Sequence, residues 1–111
     1  MIYKIFRKAE WQVAESAGMF FGSPDDLRDG FIHFSASHQV RTTCNRYFSN
    51  ENNLVLAAVD PARLDGLKWE VSRGGEKFPH LYGPLKLSAV RTVTDIRRGG
   101  DGELIFPPEI P

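Results

Sequence analysis

The chain has 111 residues, 41% hydrophobic and 12% aromatic, which is one domain with enough apolar material for a single compact core. Fourteen basic residues balance fourteen acidic ones, so the basic excess of nucleic-acid binders and the polybasic signal of membrane-surface proteins are both absent. A single cysteine, Cys44, excludes an internal disulfide and a cysteine metal cluster and points to a reducing compartment.

In chain order, residues 1–6 alternate apolar and polar and predict a short strand. Residues 9–17 place Trp11, Val13, Ala14 and Ala17 on one face of a helix that Gly18 stops. Residues 19–21 are a short apolar piece, strand or packed loop. Ser23-Pro24-Asp25-Asp26 marks a turn or helix start, and Asp29-Gly30 marks another turn. Residues 31–34 predict a short buried strand. Ser35 then caps the main helix, residues 37–48, in which Val40, Thr43, Cys44, Tyr47 and Phe48 share a face. Cys44 fits that face as a small apolar side chain.

The most hydrophobic run, residues 54–59, predicts a central strand between Asn53 and Asp60-Pro61. A helical turn over 61–64 and a strand over 67–71 follow. Residues 72–79 predict a loop, 80–82 a brief strand, 89–96 an alternating strand and 104–106 an edge strand before a proline-rich end. Five to seven short strands with one main and one smaller helix predict a single-domain α+β fold over 1–111, with a mixed or antiparallel sheet. No apolar run approaches the roughly 18 residues of a membrane helix, and the start lacks a cleavable apolar leader, so a soluble cytoplasmic protein is expected.

Two stretches carry more chemistry than a core segment needs: Asp29 to Ser35, DGFIHFS, and Trp69 to Leu85, WEVSRGGEKFPHLYGPL. Strand alternation sends Trp69 into the core and Glu70 to the opposite face, outward or into a cleft. Arg73-Gly74-Gly75 offers a planar cation beside backbone N–H groups that can approach an anion, and it equally suits a plain glycine turn. His80 and Tyr82 share a face opposite Leu81, where they can grip a ribose or heterocycle or transfer a proton. His33 shares a face with Phe31 and Ser35 and needs a partner if buried. His38 falls on an exposed helix face and receives no role.

His33, His80 and Glu70 include metal-ligand types, but no H-x-x-x-H or H-x-H spacing accompanies them, so no metal is expected. Ser35 and Ser72 lie in no G-x-S-x-G elbow. The expectation is that both stretches line one pocket, with His33, Glu70 and Tyr82 as catalytic candidates and Ser35, Arg73, Gly74, Gly75 and His80 as ligand-binding ones.

With its FGSPDDLRDGFIHFS, LVLAAVD and RGGEKFPHLYGPL blocks in order, the chain resembles, over its full length, the bacterial family known as domain of unknown function 952. That family is grouped by fold with the ADP-ribosyltransferase-like superfamily. The resemblance implies a split sheet around a cleft for a nicotinamide-dinucleotide-type ligand, making an NAD-like nucleotide the candidate cofactor. It places His33 at the superfamily's early-strand position and Tyr82 or His80 at its aromatic one. The superfamily's acid comes late in the chain, whereas Glu70 precedes His80, and Glu103 sits by a glycine-rich turn.

Three functions are consistent with these residues: glycosyl (ADP-ribosyl-type) transfer on a nucleotide-like substrate, non-catalytic binding of a small anionic metabolite, and a structural or partner-binding role. If His33, Glu70 and Tyr82 lie on different sides of the fold the third holds, while turnover against ligand stabilisation without turnover separates the first two. The expected partner is a small molecule, with neither DNA nor a membrane.

Overall fold

The computed structural model describes all 111 residues, Met1–Pro111. In order the elements are β1 (Ile2–Arg7), α1 (Lys8–Ala17), β2 (Met19–Phe20), α2 (Pro24–Asp29), β3 (Ile32–His33), β4 (Ser35–Ala36), α3 (Val40–Tyr47), β5 (Leu54–Val59), β6 (Leu67–Val71), β7 (Lys77–Leu81), β8 (Leu85–Lys86), β9 (Val90–Arg98) and β10 (Leu104–Ile105). The strands form a five-stranded sheet in the order β10-β9-β5-β1-β4, a three-stranded sheet β3-β7-β6 and a two-stranded pair β2-β8. Every pairing is antiparallel, as an α+β chain with short strands favours.

β5 is the central strand that its apolar run predicts, buried at all six positions. Val55, Ala57 and Val59 join one core cluster with Ile2, Phe6, Phe20, Leu81 and Leu85. Leu54, Leu56 and Ala58 join a second, with Tyr3, Ile5, Val40, Cys44 and Ile96. Burial on both faces explains why the run shows no alternation. Phe6 anchors the first cluster, packing edge-on against Trp11 at 5.3 Å and Phe20 at 4.8 Å. No helix is long and apolar enough to cross a membrane.

Five local expectations change. The main helix expected over 37–48 is a 3-10 turn, Ser37–Gln39, followed by the shorter α3. Gln39 turns inward instead of continuing a solvated face: its Oε1 accepts from Ala36 N and its Nε2 donates to Lys77 O. Ser35 is therefore no helix cap; it lies in β4 and its hydroxyl donates to Thr43 Oγ1. The loop expected over 72–79 gives way to β7 from Lys77 onward, with Pro79 inside the strand and its carbonyl accepting from Phe34 N. Trp69 is 47% exposed rather than in the core. It does face away from Glu70, but β6 is the outer strand of its sheet, and the core beneath ends at Leu67 and Leu81. A third helix, α2, grows from the Ser23-Pro24 start signal.

The turn into β6 is tight. Tyr82 N donates to Gly66 O at 2.9 Å, and Gly66 holds φ +84°. A Cβ there would lie 2.6 Å from the Tyr82 carbonyl oxygen, a backbone atom that cannot rotate away. Gly66→Ala is expected to lower unfolding free energy by about 3 kcal/mol in chemical denaturation. Gly74→Ala, with a similar φ of +68° but open space around it, is expected to cost only about 1 kcal/mol.

Candidate functional site

β1 pairs with β5 along its whole length on one side, but on the other it meets β4 only at Ile2 and Tyr3. From Lys4 onward that edge has no strand, and a cleft of about 310 Å³ opens there. Its lining comes from β1, the start of α1, α2, β3–β4, α3 and the β6–β7 hairpin.

Asp26 is the polar hub of one wall. Lys4 alternates with Tyr3 and Ile5, so it points to the same face as Ile2 and Phe6 and is buried with them. A buried ammonium needs a carboxylate, and α2 supplies Asp26, 3% exposed, with Lys4 Nζ 3.1 Å from Oδ2. Asp26 also accepts from the Ser23 and His33 backbone N–H groups at 2.8 and 3.1 Å. His33 Nδ1 lies 2.6 Å from Asp26 Oδ1. Burial alone would push the Asp26 carboxyl up. The His33 side-chain hydrogen bond, the Lys4 charge and the two backbone donors outweigh it and hold the group well below the usual carboxylate range. Burial moves Lys4 down from its ordinary value, against the opposing pull of Asp26.

The second nitrogen of His33 is occupied as well: Nε2 lies 2.9 Å from Asp29 Oδ2. Arg28 is the main reason the Asp29 carboxyl is held below its ordinary value.

His80 sits directly across from His33 in the β3–β7 register, with ring centroids 5.7 Å apart. Its surroundings differ. Phe31 stacks on its ring at 4.0 Å, and Glu70 Oε1 lies 2.9 Å from Nδ1. The same Oε1 accepts from the Tyr82 hydroxyl at 2.7 Å. These contacts follow from pairing: Lys68 faces His80, so Glu70 and His80 are diagonal neighbours on one face. The Tyr82 hydrogen bond, and after it the His80 one, hold the Glu70 carboxyl below its ordinary value, while Glu70 pushes the Tyr82 phenol up.

Arg73 closes the far side. Its Nη2 donates to Thr43 Oγ1 at 3.0 Å, and its guanidinium lies 4.9 Å from the Phe78 ring centroid and 5.3 Å from that of Tyr47.

Of the residues singled out in the sequence, His33, Ser35, Arg73 and His80 line the cleft together. Glu70 and Tyr82 lie outside the lining, joined to it through Glu70's contact with His80. Gly74 and Gly75 form a turn away from it. Asp26 and Lys4 are not among the site residues singled out in the sequence. The sequence holds partial signals: a lysine inside the apolar MIYKIF strand, which needs an acid only if it is buried, and Ser23 three residues before Asp26, a capping-box spacing. No group of three or more His, Cys, Asp or Glu side chains is placed to hold a metal ion.

Fold and cleft together define an antiparallel α+β domain whose split sheet opens beside its first strand. The chain belongs to the family described as "Protein of unknown function (DUF952)", whose model matches residues 5–93. It is similar to protein CC0527 from Caulobacter crescentus, a structural genomics target. Against the crystal structure of that protein it is 48% identical over 94% of this chain and 92% of the other, with a TM-score of 0.87. The solution NMR structure gives 50% identity over 91% and 88%, with a TM-score of 0.79. Comparison with curated proteins finds no match.

The Asp26 clamp has a pH signature. Its carboxyl is depressed in the folded chain, so its contribution is complete above the ordinary carboxyl value of about 3.9 and drains away as pH falls below it. Urea titrations at pH 7 and at steps below pH 4 are expected to show that acid-side loss, with a shallower slope in Asp26→Asn. At pH 7 Asp26→Ala strands the buried Lys4 charge and is expected to cost about 3–5 kcal/mol.

Proposed function

We propose that the cleft binds a small anionic ligand of mononucleotide size, with Arg73 as its anion anchor. The charge pattern of the lining carries this reading. Lys4 pairs with Asp26, Arg7 with Glu51 and Arg28 with Asp25 and Asp29. Arg73 alone among the lining cations has no carboxylate partner; its one polar contact is the neutral Thr43 hydroxyl. A guanidinium has five N–H donors, so most of the fork stays open for a phosphate or carboxylate, with the Phe78 and Tyr47 rings fixing its plane. Tyr47 and Phe48 line the cleft as well, with Arg73 over the Tyr47 ring and Arg7 over that of Phe48.

Size and charge favour binding over ADP-ribosyl transfer. Ligand sites span roughly 300–1,000 Å³, and this cleft lies at the small end, suited to a single phosphorylated nucleoside rather than a whole dinucleotide. Transfer from NAD through an oxocarbenium-like sugar calls for a carboxylate free to face it. Each carboxylate in the lining already faces a cation: Glu10 faces Arg7, Asp25 faces Arg28, Asp26 faces Lys4, and Asp29 faces Arg28. The ADP-ribosyltransferase-like relationship therefore enters as a shared type of ligand, without the reaction.

Thermal denaturation with adenosine monophosphate, ribose 5-phosphate and inorganic phosphate tests this. A ligand at about 100 times its dissociation constant adds roughly 2.7 kcal/mol, on the order of 10 °C in Tm for a chain this long. Arg73→Ala is expected to weaken binding by about tenfold to a hundredfold. Incubation with NAD is expected to release no nicotinamide. Absence of stabilisation by every anion, or equal stabilisation of Arg73→Ala, removes the reading.

A further inference from the structure

The geometry points to His80 Nε2 as the atom of the cleft that accepts a hydrogen bond from a ligand hydroxyl, which narrows the ligand to a hydroxylated anion such as a sugar phosphate. This rests on the anion-binding reading above and goes further by assigning the second half of the ligand.

Four observations converge. The His80 side chain is 6% exposed and lines the cleft. Its Nδ1 contacts Glu70 Oε1, and its Nε2 has no hydrogen-bond partner in the protein. Yet no buried side-chain nitrogen or oxygen lacks a partner, so Nε2 reaches open space, and His80 lines the cleft. The last observation fixes its role. Glu70 receives hydrogen bonds from Tyr82 and His80 that hold it ionised, and an ionised carboxylate can only accept. The proton of a neutral His80 ring therefore sits on Nδ1, leaving a lone pair on Nε2. Phe31, stacked at 4.0 Å, keeps the ring from turning.

An acceptor held this way cannot bind an ionised phosphate oxygen, which is itself only an acceptor. It suits an O–H or N–H donor. Arg73 supplies donors only. A ligand satisfying both brings an anionic group at one end and a hydroxyl at the other. His33, across from His80, cannot take this part: carboxylate oxygens from Asp26 and Asp29 stand at both its nitrogens. Glu70 and Tyr82 are positioning residues here, acting through His80.

The test uses ¹⁵N-histidine-labelled full chain, titrated with inorganic phosphate, ribose 5-phosphate, adenosine monophosphate and its 2′,3′-dideoxy analogue. Without ligand, the His80 ring nitrogens are expected to report a single neutral tautomer with the proton on Nδ1. The hydroxylated ligands are expected to shift the Nε2 resonance and to bind about tenfold or more tightly than the dideoxy analogue. His80→Phe, which keeps the stacked shape, is expected to retain anion binding and lose that preference. Glu70→Gln, which leaves the ring in place, is expected to mix the two tautomers and shrink it. Equal affinity for hydroxylated and dideoxy ligands, an unmoved Nε2, or a proton on Nε2 in the free protein overturns the assignment and leaves the anion site standing. Failure of every anion to bind removes both.

Discussion

A buried carboxylate holds the working half of this domain together. Asp26 reaches from α2 to Lys4 on β1 and to both the main chain and the ring of His33 on β3. Three segments that share no strand pairing with one another are joined at one side chain. Such a clamp adds little net stability over an apolar replacement, because two charges had to leave water. Its value is in specification: a lysine inside the first core cluster permits only arrangements that bring an acid to it. That requirement fixes α2 against the open edge of β1 and so sets one wall of the cleft.

Beside this clamp the same kinds of residue serve a different end. His33 and His80 face each other across one strand pairing, and each contacts a carboxylate through Nδ1. The difference lies one atom further round the ring. Asp29 meets Nε2 of His33, and no protein group meets Nε2 of His80. One imidazole is spent within the fold and the other is presented to the cleft, together with an arginine that has no acid to hold.

Much of this was legible in the sequence. The apolar run of 54–59 fixed the central strand, and the first helix forms where 9–17 predicts it, but of its expected apolar face only Trp11 and Ala14 meet the core, while Val13 and Ala17 point to solvent because they lie further round the helix. Strand alternation placed His80 and Tyr82 on one face and turned Glu70 away from Trp69; that Glu70 lies diagonal to His80 and that Ile32-His33 pairs with His80-Leu81 came from the structure. The failures have physical causes. Alternation gives the face Trp69 points to but not how far the core extends beneath an outer strand, so its exposure was hidden. A periodic pattern over 37–48 does not reveal that Gln39 prefers carbonyl and amide partners in neighbouring strands to a helical turn. Asp26 reads as an ordinary helix-start acid until Lys4 is recognised as buried, and burial of a single lysine in a strand is a tertiary fact. Which histidine keeps a free nitrogen was likewise beyond alternation, because it depends on where α2 brings Asp29.

The placement of β1 bears on how the chain reaches this arrangement. Its six residues zip along β5, roughly fifty positions downstream, and β5 in turn needs β9, which follows the entire β6–β7 hairpin. The small hairpin can close early from local contacts, whereas the five-stranded sheet must wait for long loops to shut. During biosynthesis β1 therefore emerges before its partner β5 and docks late. In that interval its apolar side chains and the ammonium of Lys4 stay hydrated, and the charge on that lysine, poorly matched to a greasy neighbour, guards the segment against premature pairing with another copy.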